Sequence, residues 1–113
     1  MKSLPALLLS AALAALPGIV HAAGDVDADA ARALAKKSGC FKCHAIDKKK
    51  DAPSYQETAK KLKGKPDAEK ELYTHLTTNP KVKVDGKEER HESPKTKDEA
   101  QIRNLIHWIL SQG

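Results

Sequence analysis

Five consecutive residues, Cys40-Phe41-Lys42-Cys43-His44, contain both cysteines of the chain and end on one of its five histidines. Two thiols with a two-residue spacer and an adjoining imidazole can do three kinds of chemistry: cycle between dithiol and disulfide, hold half of a zinc site, or bind haem covalently. A thioredoxin-like dithiol stands at the end of a strand in a βαβ unit, whereas the residues before Cys40 read as helix. A structural zinc ion takes four ligands, so two distant histidines would have to complete that site. A disulfide here closes so short a loop that it removes little chain entropy. The haem reading uses the whole motif: the thiols add across the two vinyl groups of the porphyrin, and His44 beside them reaches the iron as axial ligand.

The elements that must position this motif begin after a leader. The opening "MKSLPALLLSAALAALPGIVHAAG" has a charge at Lys2, an apolar run from Leu4 to Leu16, a break at Pro17-Gly18, and small residues at Val20 and Ala22. These features predict a secretory signal peptide over 1–22, cut after Ala22. The apolar run is shorter than the roughly 20 residues that span a bilayer, so no stable membrane span is expected. The predicted mature domain is 23–113, exported to the periplasm, where haem attachment of this kind takes place. Its histidines are His44, His75, His91 and His107, and its net charge is one unit below the +5 of the full chain. A single domain this small buries little surface, and with aromatic residues at 4% a large apolar cofactor would fill its core.

No repeat is visible in the mature domain and nothing in it reads as a strand. "DVDADAARALAKKSG" predicts a first helix, begun by Asp25 or Asp27 and ended by Gly39, with Val26, Ala30, Ala33 and Leu34 on its inner side. "KKKDAPSY" reads as a loop because Pro53 disfavours helix at Ala52. "YQETAKKLKG" predicts a short helix stopped by Gly64 and Pro66, and "DAEKELYTHLTT" another that starts near Asp67. Residues 79–97 are polar, contain Gly86 and Pro94, and read as a long irregular loop of the kind that carries function. In "KDEAQIRNLIHWILSQG", Ile102, Leu105, Ile106, Ile109 and Leu110 form one apolar stripe at helical spacing, with Asp98 and Glu99 at the favourable end of the helix dipole. The expected architecture is all-α.

Taken together, the first helix running into "GCFKCH", the following "DAPSY" and the final helix carrying "LIHWILSQ" make the mature chain resemble the class I c-type cytochromes. The resemblance implies their fold: N- and C-terminal helices crossing near a small residue such as Gly39, with short helices and a distal-ligand loop wrapped around one covalent haem c. It implies that the carbonyl of Pro53 accepts the Nδ1 proton of His44, which fixes the ring and raises its basicity. Tyr55 and Trp108 are the aromatic candidates for the pocket wall; Trp108 lies off the main stripe and could equally pack on the first helix.

The family's usual sixth ligand is a methionine on the loop before the last helix. The single methionine here is Met1, within the predicted leader. In "VKVDGKEERHESPKTKDEAQ", His91 precedes Pro94 by three residues and occupies the right region, so His44 and His91 are the expected iron ligands. His75, His107, Asn79, Lys81 and Lys83 stand as alternatives. A thioether favours ferrous iron; an imidazole in its place would lower the potential.

Lysines flank the motif at Lys42 and Lys48, Lys49 and Lys50, a rim that would steer acidic redox partner proteins. An exported chain without a recognition motif is not expected to bind nucleic acid. The sequence therefore points to a periplasmic electron carrier or electron-accepting subunit, not an enzyme. A gas-binding, sensor or peroxidase-like haem protein is the competing reading, in which His91 is displaceable from a poorly packed loop and Glu92 or Arg90 acts on the distal side.

Overall fold

The computed structural model describes residues 25–113. The predicted leader, 1–22, lies outside the described residues. Four helices and one hairpin follow in order: α1 (Ala28–Lys37), a 3₁₀ turn over Cys40–Lys42, α2 (Tyr55–Leu62), α3 (Ala68–Thr77), β1 (Lys81–Val84), β2 (Lys87–Arg90) and α4 (Glu99–Leu110).

Helix α4 organises the molecule, since α1, α2 and α3 all pack against it. Its stripe buries Ile102, Leu105, Ile106 and Ile109, the period-3.6 face predicted from sequence. Asp98 caps it, its Oδ1 accepting the Ala100 N–H at 2.9 Å, which satisfies one of the four orphan amides of the first turn. Helix α1 is capped in the same way by Asp27, whose Oδ1 accepts from Ala30 at 3.0 Å. The two terminal helices are also tied by a reciprocal pair: the Asp27 N–H donates to Asn104 Oδ1, and Asn104 Nδ2 donates to the Asp27 carbonyl, both at 2.9 Å.

The inner face of α1 is Ala31, Leu34 and Ala35; Ala30 and Ala33, expected inside, are exposed. Where almost every position is alanine, Leu34 alone carries a strong hydrophobic signal, and it fits either face assignment. Helix α2 opens with a reciprocal capping box in which the Glu57 N–H donates to Ser54 Oγ and the Ser54 N–H donates to Glu57 Oε2, a pattern written in Ser54-Tyr55-Gln56-Glu57. Gly39 ends α1 with φ +77°, a left-handed conformation that glycine takes without steric cost. A Cβ there would meet Glu92 Oε2 at 3.3 Å and the Lys42 side chain, so Gly39 lies close to the segment that follows His91.

The segment 79–97 corrects the sequence reading. It is not irregular throughout: β1 and β2 pair antiparallel, Lys81 opposite Arg90 and Val84 opposite Lys87. The link is Asp85-Gly86, with φ +50° and +75°, the positive pair that a tight two-residue hairpin turn requires. Val82 and Val84 are partly buried while Lys81 and Lys83 are exposed, an alternation that turns one face of β1 inward.

Candidate haem site

Gly39 hands the chain from α1 into the 3₁₀ turn that carries Cys40, and the Cys43 and His44 amides both close back on the Cys40 carbonyl, at 3.3 and 3.0 Å. This local winding sets two thiols and an imidazole on one short stretch. Both thiols are free and half-buried, and they border a cavity of about 450 Å³.

His44 is held from two directions. Its Nδ1–H donates to the Pro53 carbonyl at 2.7 Å, which leaves Nε2 free. The Tyr55 ring stacks on the imidazole with centres 5.0 Å apart and planes 14° from parallel. Tyr55 is itself 4% exposed, and burial pushes its hydroxyl well above the usual phenol range, so it remains neutral. Behind it Trp108, also buried, meets Tyr55 edge-on at 5.4 Å. Trp108 does not border the cavity; it backs the residue that does. That arrangement explains its position off the α4 stripe: it fills the space between α4 and the aromatic ring of α2.

His91 stands across the cavity, with its ring centre 6.2 Å from that of His44. Two imidazoles bound on opposite sides of one metal ion, each by a bond of about 2 Å, hold their ring centres at about this separation. His91 Nδ1 is buried without a hydrogen-bond partner, and burial, then the neighbouring His75 and His44, lower its proton affinity. A neutral imidazole is the form that binds a metal. A buried polar atom with no partner is costly, and a ligand that enters the cavity relieves that cost.

The other histidines divide. His75 on α3 lies beside His91, ring centres 4.2 Å apart, and borders the same cavity; its proton affinity is lowered by burial and then by His44. Nothing in the sequence signalled that pairing, which exists because α3 packs on α4 and faces the segment after β2. His107 is elsewhere: its Nε2 contacts Glu69 Oε2 at 3.2 Å on the outer side of α3 and α4. Asn79 uses its side chain to donate to the His91 carbonyl at 2.9 Å. Lys81 pairs with Glu88 at 2.9 Å, whereas Lys83 borders the cavity beside Val82 and Val84.

The pieces fit a haem. Two thiols lie on one wall, the imidazoles of His44 and His91 face each other, and Leu72, Leu76, Leu105 and Ile109 supply apolar lining. A shallower groove between α2 and α3 adjoins the cavity through Pro53, Thr58, Leu72 and His75. Around the motif Lys42, Lys48, Lys49 and Lys50 are all exposed, and Lys50 Nζ donates to the Phe41 carbonyl at 2.7 Å.

A four-helix chain wound around a Cys-x-x-Cys-His turn defines a small haem-binding protein of class I cytochrome type. The cytochrome c family model matches residues 28–113, and the chain belongs to that family. It is 39% identical over 79 residues to cytochrome c-551 of Pseudomonas aeruginosa, a match that covers 70% of this chain and 73% of that one. With cytochrome c2 of Rubrivivax gelatinosus it shares 37% identity over 78 residues, covering 68% of this chain and 91% of the other. Among solved structures, the class 1 cytochrome MtoD from Sideroxydans lithotrophicus ES-1 is similar at 48% identity and a TM-score of 0.74, covering 78% of this chain and 98% of that chain. Members of the family carry covalently attached haem c, and Cys40 and Cys43 supply its Cys-x-x-Cys-His motif.

Proposed function

We propose that the protein is an exported one-electron carrier whose haem c is joined by thioethers to Cys40 and Cys43, with the iron held between His44 and His91. The observation that carries this reading is the 6.2 Å separation of the His44 and His91 rings across the cavity. The haem supplies an iron that accepts and releases one electron. What the chain contributes is rigidity and exclusion of water. The Pro53 carbonyl fixes the Nδ1 proton of His44 and raises the basicity of its other nitrogen, Tyr55 sets the plane of that ring, and the apolar wall from α3, β1 and α4 keeps solvent off the centre. Two strong imidazole ligands favour the ferric state more than a thioether does, so the midpoint potential lies below that of a methionine-ligated relative.

Anchoring of the His91 segment supports a carrier over a gas-binding protein. The loop expected to be loosely packed is a hairpin, and the His91 N–H donates to the Pro80 carbonyl at 2.8 Å at its base. The exposed Lys42, Lys48 and Lys49 form a docking rim for acidic redox proteins. No helix among the described residues is long and apolar enough to cross a membrane; the proposed export and cleavage after Ala22 rest on the charge, apolar run and small residues of the leader. The ligand assignment is tested by His91→Ala in the holoprotein: a vacated coordination position converts ferric iron from low to high spin, and an unchanged low-spin optical spectrum would overturn the assignment. Because His75 stands beside His91, the double variant His91→Ala/His75→Ala is measured alongside it.

A further inference from the structure

The segment that presents His91 is fastened on both sides by hydrogen bonds from or to side chains. On one side Asn79 Nδ2 donates to the His91 carbonyl at 2.9 Å, while the His91 N–H donates to the Pro80 carbonyl at 2.8 Å. Both backbone polar groups of His91 are therefore satisfied by the two residues that precede the hairpin. Asn79 makes its bond from a left-handed backbone conformation, φ +48°, which asparagine tolerates better than most residues. Arg90 Nη1 closes the same corner by donating to the Asn79 carbonyl at 3.3 Å.

On the other side the Lys95 N–H donates to Ser38 Oγ at 2.9 Å. Ser38 is a buried polar residue, 1% exposed, and the C-cap of α1. It lies two residues before Cys40, so its bond ties the chain beyond His91 directly to the haem-attachment turn. Pro94, between the two fastenings, is buried.

We propose that Asn79 and Ser38 are positioning residues that clamp the His91 segment across the cavity and so hold the distal imidazole on the iron. This rests on the reading of His91 as the distal ligand. The physical content is a dissociation barrier. For the imidazole to leave, the segment must swing outward, and it cannot do so without giving up the bond to Asn79 or the one to Ser38. The Ser38 bond engages a buried hydroxyl, and losing it changes an opening equilibrium about tenfold, whereas the Asn79 bond is exposed, water can replace it, and its loss changes that equilibrium by less. The two clamps lie on opposite sides of His91 and share no partner, so their effects should multiply.

The test uses holoprotein carrying Asn79→Asp, Ser38→Ala, or both. Asn79→Asp keeps shape and tolerance for the left-handed backbone but has no N–H to give the His91 carbonyl. If that variant does not accumulate as holoprotein, Asn79→Gly, which adopts φ +48° freely, takes its place. Carbon monoxide is added to the ferrous protein and binding is followed to completion, because the gas enters only when the distal position opens. Ser38→Ala should bind about tenfold faster than wild type and Asn79→Asp roughly two- to threefold faster, with the double variant faster than either, while the resting spectrum stays low-spin. His91→Ala separates the two layers of the argument. If it opens the site but Asn79→Asp and Ser38→Ala bind the gas at the wild-type rate, the clamp is wrong and the ligand stands. If His91→Ala leaves the spectrum and gas binding unchanged, even when combined with His75→Ala, the ligand reading fails and the clamp falls with it.

Discussion

Replacing Tyr55 by alanine should damage this protein more than any other single change among its aromatic residues. Tyr55 is 4% exposed and touches three rings at once: His44 stacked at 5.0 Å, Trp108 edge-on at 5.4 Å and Phe41 edge-on at 6.2 Å. Truncating a buried aromatic to alanine costs about 3–5 kcal/mol. The stacked and edge-on contacts account for part of that, at roughly 0.5–1.5 kcal/mol per pair beyond area burial. For a domain of this size the loss corresponds to a fall in melting temperature of order 20 °C. Thermal unfolding of the holoprotein, followed by far-ultraviolet circular dichroism, measures it. Tyr55→Phe keeps all three ring contacts and removes only the hydroxyl, so it should cost about 1 kcal/mol. Electron paramagnetic resonance adds a second readout, since loss of the stacking partner frees the His44 plane and broadens the ferric signal. A Tyr55→Ala holoprotein that melts within a few degrees of wild type would refute the claim that this ring supports the proximal side.

Two other outcomes follow from the charges. Glu69 joins α3 to α4 through His107 and Arg103, and its hydrogen bonds to His107 and then Arg103 hold its carboxyl below the usual range. A depressed folded pKa stabilises the fold fully above the unfolded value of about 4.3, and that contribution is lost as pH falls through the folded value. Glu69→Gln should therefore lower the melting temperature near pH 7 and converge on wild type in acid; a constant gap down to acid pH would contradict this. For the lysine rim, Lys48→Glu/Lys49→Glu should slow oxidation of the ferrous protein by the anion hexacyanoferrate(III) several-fold at low salt. The difference should vanish near 1 M salt, where the Debye length falls to about 3 Å. An unchanged rate at low salt would remove those lysines from the steering surface.

The parts of this molecule that a single sequence made legible are those where one residue type has one physical use. Cys40 and Cys43 are separated by covalent geometry, and the stripe of α4 is written in residues too large to be anywhere but the core. Alanine has no such preference, which is why the inner face of α1 was displaced by a residue. The hairpin is hidden in the sequence for the opposite reason: its strands are mostly charged, with only Val82 and Val84 apolar, and a polar stretch carries little strand signal. The signal was present in Asp85-Gly86 flanked by Lys-Val alternation, the pairing that favours a two-residue turn. Ser54 and Glu57 likewise spelled a capping box. What sequence could not place is contact across the fold. That His75 stands 4.2 Å from His91, and that Ser38 reaches Lys95, depend on how α3 and the pre-α4 segment settle on α4. In the sequence His91 stands out only by the absence of a methionine from its loop and by its position before the last helix; the proposed ligation rests on its ring separation from His44.

The central claim, a closed six-coordinate centre built for electron exchange, is tested most directly by one measurement: the optical spectrum of the ferrous holoprotein immediately before and after carbon monoxide is added. The account predicts a low-spin spectrum with no shift of the Soret band within the mixing time, because His91 occupies the distal position and its segment is fastened on both sides. A prompt and complete Soret shift would contradict it, and would make the protein a binder of small gases rather than a carrier of electrons.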